Sequence, residues 1–223
     1  MQRLSRFSVL SALLLMTLAP AAFAGAKGSN VFALQFTNGT ADLYDLGAPG
    51  GLPAANYASA YDHSELGVQL EVWHFMTDEY ATTVAFGSGF FSETDKPGNG
   101  AAASAKDFAY SQSSFNIRIG GDRVVHLNER SLIYFGPGIE YWSGKSKFDW
   151  GAGDTRNYET GNVTRYSLSG RIGTTMMLGK TVGIGGHLGH RIGMATVDDR
   201  GRKITWWPTS FDGAGGLVFS FGS

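Results

Sequence analysis

Large apolar residues alternate with small or polar residues in eight segments of this chain. In the second segment, residues 66–76, Leu70 and Val72 alternate with Gln69 and Glu71. Because successive side chains of a strand point to opposite faces, each segment predicts a β-strand with one apolar and one polar face. No helical period of useful length follows residue 24, so the pattern predicts an all-β fold.

The connections between these segments alternate between long and short. The long ones are expected at residues 38–65, 92–107, 143–163 and 195–216, and the short ones at 77–79, 121–129 and 179–181. Transmembrane barrels with an even number of strands have short periplasmic turns and long outer loops. We therefore predict an eight-stranded antiparallel up-and-down transmembrane β-barrel with four surface loops and both mature termini in the periplasm.

A membrane barrel and a soluble barrel differ in which face of the sheet, inner or outer, carries the large apolar residues. A soluble, lipocalin-like barrel, the alternative considered, would place its large apolar residues inside and its charges outside. Here the second face carries mostly glycine, serine, glutamine and a few charges, which are too small and polar to form the only core. We expect the large apolar residues to face lipid and the small polar ones to fill the interior.

The N-terminal 24 residues follow a different pattern. Arg3 and Arg6 precede an apolar run at 9–18, and Ala22 and Ala24 precede Gly25 with the small-x-small spacing of a cleavage site. These features predict a secretory signal peptide over residues 1–24, with one barrel domain over 25–223. The apolar run is shorter than the ~20 residues that a membrane-spanning helix needs.

Composition narrows the function classes. The chain has no cysteine, so disulfides, a lipoprotein anchor and thiolate metal sites are excluded. Loss of the two arginines of the signal peptide would take the formal net charge from −1 to −3. No basic block indicates a nucleic-acid partner. We expect neither a cofactor nor a metal.

Strand parity directs a set of ionisable side chains into the interior. The predicted polar network comprises Glu71, Arg118, Glu140, Arg171, His187 and Arg191. Counting from the short turns places Glu140 and Arg191 near the outer end as a pair, with Glu71 deeper and facing Arg171 or Arg118. Buried charges need partners whatever the function. Two interpretations stay open: a static plug of ion pairs, or a gate that opens a narrow pore when a pair switches.

Tyrosine and tryptophan residues gather near the ends of the segments. Such positions are typical of the aromatic girdles at the two membrane interfaces, although aromatic residues also favour strands in general. The predicted girdle residues are Tyr80, Tyr110, Tyr141, Trp142, Tyr166, Trp206 and Trp207.

Histidine spacing argues against an enzyme. His190 is the only histidine expected to face lipid near the outer end, and no His-x-Ser spacing places a nucleophile beside a histidine on one strand face. His187 lies three residues from His190 and therefore on the opposite face, which rules out a two-histidine metal site.

Two local motifs carry a family resemblance. Residues 134–141, YFGPGIEY, resemble the aromatic, glycine-alternating fifth strand of small eight-stranded outer-membrane barrels, the group of the OmpA transmembrane domain, OmpX and Ail-like proteins. Pro137 in this strand predicts a β-bulge. The chain end is similar to the C-terminal assembly signal of that group, with Leu217, Phe219 and Phe221 as the alternating apolar residues, although Gly222 and Ser223 follow the last aromatic.

The resemblance implies a monomer in the outer membrane of a Gram-negative bacterium, assembled with periplasmic chaperones and the barrel-assembly machinery. Its expected partners are outer-membrane lipid, lipopolysaccharide and an extracellular ligand of the surface loops. Charged and aromatic residues gather in the third and fourth loops, where lipopolysaccharide, a host protein or another cell could bind. We expect a non-enzymatic role in envelope integrity, with adhesion as a candidate. The alternatives are a narrow pore or carrier resembling OmpW-like barrels and, third, a lipid-A-modifying enzyme.

Overall fold

A computed structural model describes residues 26–40, 64–95, 108–149, 151, 157–159, 161–199, 202–207 and 209–221. The predicted signal peptide lies outside these residues. The strands are β1 (Asn30–Thr40), β2 (Ser64–Thr77), β3 (Tyr80–Asp95), β4 (Phe108–Asn128), β5 (Ser131–Asp149), β6 (Tyr158–Glu159), β7 (Val163–Met177), β8 (Val182–Asp199), β9 (Arg202–Trp206) and β10 (Thr209–Phe221). Within the ranges given, no helix is long and apolar enough to cross a membrane.

The strands close into a ring of eight wall strands. Neighbours are antiparallel, and β10 pairs with both β8 and β1, which joins the two ends of the sheet. Strands β9 and β10 form one wall strand, because Ala195 faces Trp206 and Ile192 faces Thr209 in the same register. The two-residue β6 only extends the outer edge of β5. The predicted up-and-down barrel is confirmed.

The wall strands are steeply tilted, because the pairing registers accumulate a stagger around the ring. A row of facing residues can be followed around the ring from Ser29, whose carbonyl accepts a hydrogen bond from the Phe75 amide. With the β4–β5 register continued across the interrupted part of the ladder, the row returns to β1 at Gly39. One circuit therefore shifts the row by ten residues, from position 29 to position 39. Barrel closure requires such a stagger, and it lengthens the path of each strand across the wall.

The outer surface of the ring is a belt of large apolar side chains. Phe211 is 75% exposed, Leu188 70% and Leu168 67%, and similar residues occur on every wall strand. In water such a continuous apolar surface would favour association, whereas in a bilayer it is solvated by lipid chains. The predicted orientation, with large apolar residues facing lipid, is confirmed.

The predicted fourth long connection, at 195–216, is wrong. β8 continues to Asp199 and β9 begins at Arg202, so only positions 200–201 separate the two strands. The third connection is likewise shorter than expected at its start, since β5 continues to Asp149, and the 121–129 link shrinks because β4 continues to Asn128. The apolar pattern stops where the strands leave lipid, but backbone pairing continues beyond that point.

Pro137 does not produce the predicted bulge. Gly120 faces Gly138 and Arg123 faces Phe135, so the β4–β5 register is the same on both sides of the proline. The ladder is interrupted between these pairs, as expected for a residue without an N–H, while Pro137 still faces Gly170 of β7. Register shifts among the described strands occur instead beside the short turns.

Candidate functional site: a closed and charged interior

An apolar plug fills the periplasmic end of the interior. Trp73 is 2% exposed, Phe75 0% and Tyr134 1%, and the rings of Trp73 and Tyr134 lie 4.5 Å apart in an edge-to-face contact. The other members of the plug are Val31, Ala33, Ala81, Val124, Leu132, Met177 and Val218. The expectation of a small, polar interior therefore fails at this end, although Trp73 and Phe75 share the parity of Glu71.

Arg171 forms a buried ionic hub directly above the plug. Its Nη1 lies 2.5 Å from Glu71 Oε1, its Nη2 lies 2.5 Å from Asp122 Oδ2, and its Nε donates to Asp122 Oδ1 at 3.2 Å. The guanidinium also stacks 5.1 Å from the Tyr134 ring and 5.8 Å from the Trp73 ring. All three charged side chains are at most 2% exposed, so the ion pairs are fully desolvated.

Arg118 also lies in the interior, where its hydrogen-bond partners are neutral. Its Nη1 donates to Thr83 Oγ1 at 3.1 Å and its Nε donates to Ser169 Oγ at 3.2 Å. Gly120 and Gly138 flank the guanidinium, and a Cβ at either position would lie 2.7–2.8 Å from its atoms. Of the two expected partners of Glu71, the structure therefore places Arg171 beside it and not Arg118.

A second cluster of charges lies closer to the outer end. Arg191 Nη1 contacts Glu140 Oε1 at 2.5 Å, as expected from parity, and Arg191 Nη2 contacts Asp212 Oδ2 at 3.2 Å. Arg165 Nη2 approaches the same Glu140 oxygen at 3.7 Å, and His187 Nε2 lies 3.8 Å from Asp212. Glu140 and Asp212 are thus each shared by two partners.

Three charged interior residues escaped the sequence-based prediction, namely Asp122, Arg165 and Asp212. Asp122 and Asp212 lie beyond the predicted ends of their segments, in the connections expected at 121–129 and 195–216, whereas Arg165 lies inside the segment predicted to follow 143–163. Strand parity would have found all three, because Arg165 shares a face with Arg171 on β7, and Asp122 follows Arg118 by four residues on one face of β4. With them, the described interior holds four arginines and four carboxylates.

The girdle prediction needs one correction. Trp142 is only 8% exposed and faces the interior, where the Arg165 guanidinium lies 5.4 Å from its ring centre. Tyr166 and Tyr80 face outward at 61% and 51% exposure, as does Trp207 at 72%. Tyr141 is half-buried, with its ring 5.2 Å from Tyr166. The side chains of Tyr110 and Trp206 lie outside the described residues.

The predicted assembly residues lie on β10 at the seam of the ring. Leu217 faces lipid at 47% exposure, and the half-buried Phe221 ring packs 5.4 Å from Phe32 of β1. Phe219 is half-buried and faces Phe32 across the seam. Gly222 and Ser223 lie outside the described residues.

The described barrel wall offers few candidates for a metal site or a catalytic nucleophile. The described residues contain no group of three or more metal-ligating side chains. Thr209 Oγ1 lies 2.9 Å from His190 Nε2 on the outer surface, and the His-x-Ser pattern does not reveal this pair because its members lie on two strands. No carboxylate among the described residues pairs with this imidazole, so the orienting member of a hydrolase triad is missing there.

Comparison with solved structures supports the architecture. The chain is similar to the outer membrane protein OprG from Pseudomonas aeruginosa, with 10% identity and a TM-score of 0.54 over 91% of this chain and 100% of that one. The fold is that of a small outer-membrane β-barrel. Two further similar structures are Ail of Yersinia pestis, at 13% identity, TM-score 0.48 and coverage of 88% and 100%, and Neisserial surface protein A, at 12% identity, TM-score 0.46 and coverage of 88% and 98%.

These likenesses concern the barrel fold alone, since every identity is low. The predicted resemblance to small eight-stranded outer-membrane barrels is confirmed at that level. No family model matches the sequence, and no curated protein matches it.

Proposed function

We propose that this outer-membrane barrel is a non-enzymatic, non-conducting monomer that supports the envelope and displays a polar extension at the cell surface. The observation that carries the proposal is the closed lower interior, where the Arg171 hub lies directly on the Trp73 and Tyr134 rings. An eight-stranded barrel is just wide enough for side chains to fill it. Export through the predicted signal peptide, over residues 1–24, is part of the same proposal.

The energetics of the hub favour a fixed plug over a lower gate. Water cannot solvate Glu71 and Asp122, because their side chains are only 0% and 2% exposed. Moving Arg171 away would leave both carboxylates uncompensated, at a cost of about 3–5 kcal/mol. Opening a passage through this level would therefore require the Arg171 ion pairs to break, which thermal motion rarely achieves.

The outer extension supports the display role. β4 has 21 residues and β5 has 19, whereas a tilted strand crosses the hydrocarbon in about 9–11 residues. Beyond Tyr141, β5 presents Lys145 and Lys147 outward, and Lys145 Nζ lies 2.6 Å from Glu159 Oε1. The Lys145 ammonium lowers the pKa of Glu159. Such side chains just above the girdle suit the phosphates of lipopolysaccharide or an anionic extracellular ligand.

Liposome swelling tests the non-conducting proposal. Proteoliposomes that contain the folded barrel should admit arabinose no faster than protein-free liposomes, with a general porin as the positive control. Solute uptake that grows with the amount of folded barrel would contradict the proposal. Protease cleavage of intact cells after Lys145 or Lys147, with periplasmic proteins protected, tests the display of the extension.

A narrow pore is the second candidate, and the shared Glu140 favours it. Arg191 and Arg165 both contact this carboxylate, and Arg118 is its direct cross-strand neighbour on β4. An exchange of partners is therefore available at the upper level. If that exchange gates a pore, Arg191→Ala should change single-channel conductance or open probability, and recordings that match wild type would count against the gate.

The assembly partners are proposed from the last strand. Recognition by the barrel-assembly machinery, after transit with periplasmic chaperones, would use Leu217, Phe219 and Phe221 at the seam with β1. Loss of the aromatic ring in Phe221→Ala should lower the amount of heat-modifiable barrel in outer-membrane fractions. An unchanged amount would argue against this role.

A further inference from the structure

A polar pair stands in the lipid-facing belt on the β7–β8–β10 side of the barrel. His190 faces outward between Gly170 on β7 and Phe211 on β10. Its Nε2 lies 2.9 Å from Thr209 Oγ1, and its ring lies 4.5 Å from the Phe211 ring. The outward residues around the pair are Leu168, Leu188 and Ile192. Hydrogen-bonding groups therefore face the bilayer within an apolar surface.

Gly170 leaves a gap beside the His190 ring. A Cβ built at this glycine would meet no atom within 4 Å, and its neighbour across the strands is His190 itself. The gap opens toward lipid because Gly170 is exposed on the outward face, like Leu168 and Ile172. An acyl chain could lie in it against the Phe211 ring.

The second nitrogen of the imidazole needs a partner at this depth. Thr209 satisfies Nε2, whereas Nδ1 has no hydrogen-bond partner among the described residues. A polar group that faces hydrocarbon without a partner is costly. The pair lies close below the outer girdle, since Tyr166 is four residues from Gly170 on the same face of β7. The linkage region of an outer-leaflet lipid meets the barrel near this level.

We propose that His190, Thr209 and the Gly170 gap bind lipid A at the point where an acyl chain joins its headgroup. The amide or ester group hydrogen-bonds to His190 Nδ1, and the acyl chain lies over Gly170 against Phe211. The site rests on the proposed outer-membrane orientation, with the long connections outside. It binds the lipid and does not cleave it, because no described carboxylate orients the imidazole.

Native mass spectrometry of the detergent-solubilised full barrel with purified rough lipopolysaccharide tests this site. His190→Leu should weaken the tightest lipid adduct about three- to tenfold, the effect of losing one hydrogen bond. Gly170→Leu should weaken it as well by filling the gap with an outward side chain whose Cβ meets no atom within 4 Å. The matched control is His74→Leu, an exposed histidine near the periplasmic rim whose Nδ1 pairs with Asn30 Oδ1 at 3.0 Å. A heat-modifiable gel shift verifies that each variant is folded.

Several outcomes would overturn the proposal. These are an unchanged adduct in both His190→Leu and Gly170→Leu, or an equal loss in His74→Leu. A parallel titration with phosphatidylethanolamine decides the lipid class, and equal weakening by His190→Leu would refute the assignment to lipid A. Loss of an acyl chain from the recovered lipopolysaccharide would refute binding without cleavage. Solute uptake by liposomes would contradict the non-conducting function and leave this site untouched, so the two failures are distinguishable.

Discussion

The lower and upper parts of the barrel interior use the same residue types in different ways. In the lower part, Arg171 has two carboxylates of its own and is 2% exposed. In the upper part, Arg191 is 12% exposed, and its partner Glu140 is also within reach of Arg165. Exclusive, dry ion pairs hold one arrangement, whereas shared and partly solvated ones can exchange. A static plug and an adjustable layer are thus stacked in one lumen.

The largest expected effect is the loss of the lower hub. Arg171→Met removes the cation that contacts both Glu71 and Asp122 and leaves the two buried carboxylates without an ion-pair contact, so the free energy of unfolding should fall by about 3–5 kcal/mol. Urea titration of the barrel in lipid vesicles, followed by tryptophan fluorescence, measures the change.

Arg118→Met is the matched control for the hub. Arg118 is as buried as Arg171, since each whole residue is 6% exposed, but within the described part of the chain it hydrogen-bonds to the hydroxyls of Thr83 and Ser169 and to no carboxylate. Its removal strands no carboxylate and should cost only about 1–2 kcal/mol, the value of two hydrogen bonds. Equal losses for the two arginines would mean that packing, and not charge pairing, makes the lower interior stable.

The second prediction concerns the aromatic floor of the hub. Trp73→Leu removes the ring that contacts Tyr134 at 4.5 Å and Arg171 at 5.8 Å. The lost volume and ring contacts should lower the free energy of unfolding on the order of 2 kcal/mol. Liposome swelling should stay at the wild-type level because the Arg171 ion pairs still close the lumen. Faster swelling would show that the apolar plug alone forms the seal.

Parity predicted the interior well where lipid marks the outer face. Gln69, Glu71 and Arg171 alternate with outward side chains that face lipid. Adjacent residues therefore differ clearly in polarity, and the difference shows which of them face the interior. Outside the bilayer both faces meet water or the filled lumen, and this contrast disappears. For that reason Asp212 was assigned to the predicted loop at 195–216, although it lies six residues before Val218 on the same face of β10.

The sequence predicted that the interior holds charged residues, but it predicted only some of the contacts that they make there. Trp142 has the amphipathic character that suits a girdle, yet it turns inward beneath Arg165 because strand parity outweighs residue type. Partner choice is also set by three-dimensional proximity, since Arg171 reaches Asp122 over 49 residues of sequence. The His190–Thr209 pair spans 19 residues across two strands, which a search along single strands cannot detect.

A smaller effect is expected in the upper part. Arg191→Met removes one ion-pair partner from Glu140 and one from Asp212. Arg165 remains near Glu140, and His187 remains near Asp212. Because each carboxylate keeps a cationic or imidazole neighbour and Asp212 is 19% exposed, the free energy of unfolding should fall by about 1–2 kcal/mol, less than for Arg171→Met. The same urea titration ranks the two variants. A larger loss for Arg191→Met would reverse the assignment of the fixed and the adjustable layer.

The smallest effect is expected outside the membrane, at the ion pair of Lys145 and Glu159. Its partners are 55% and 49% exposed, so water and salt screen their attraction. The lowered pKa of Glu159 means that any stabilisation is present above the unfolded pKa and is lost as the pH falls through the folded pKa. Glu159→Gln should therefore leave the urea midpoint unchanged at pH 7, with or without 1 M salt. A salt-dependent shift of the midpoint would mean that the extension stabilises the barrel instead of only projecting from it.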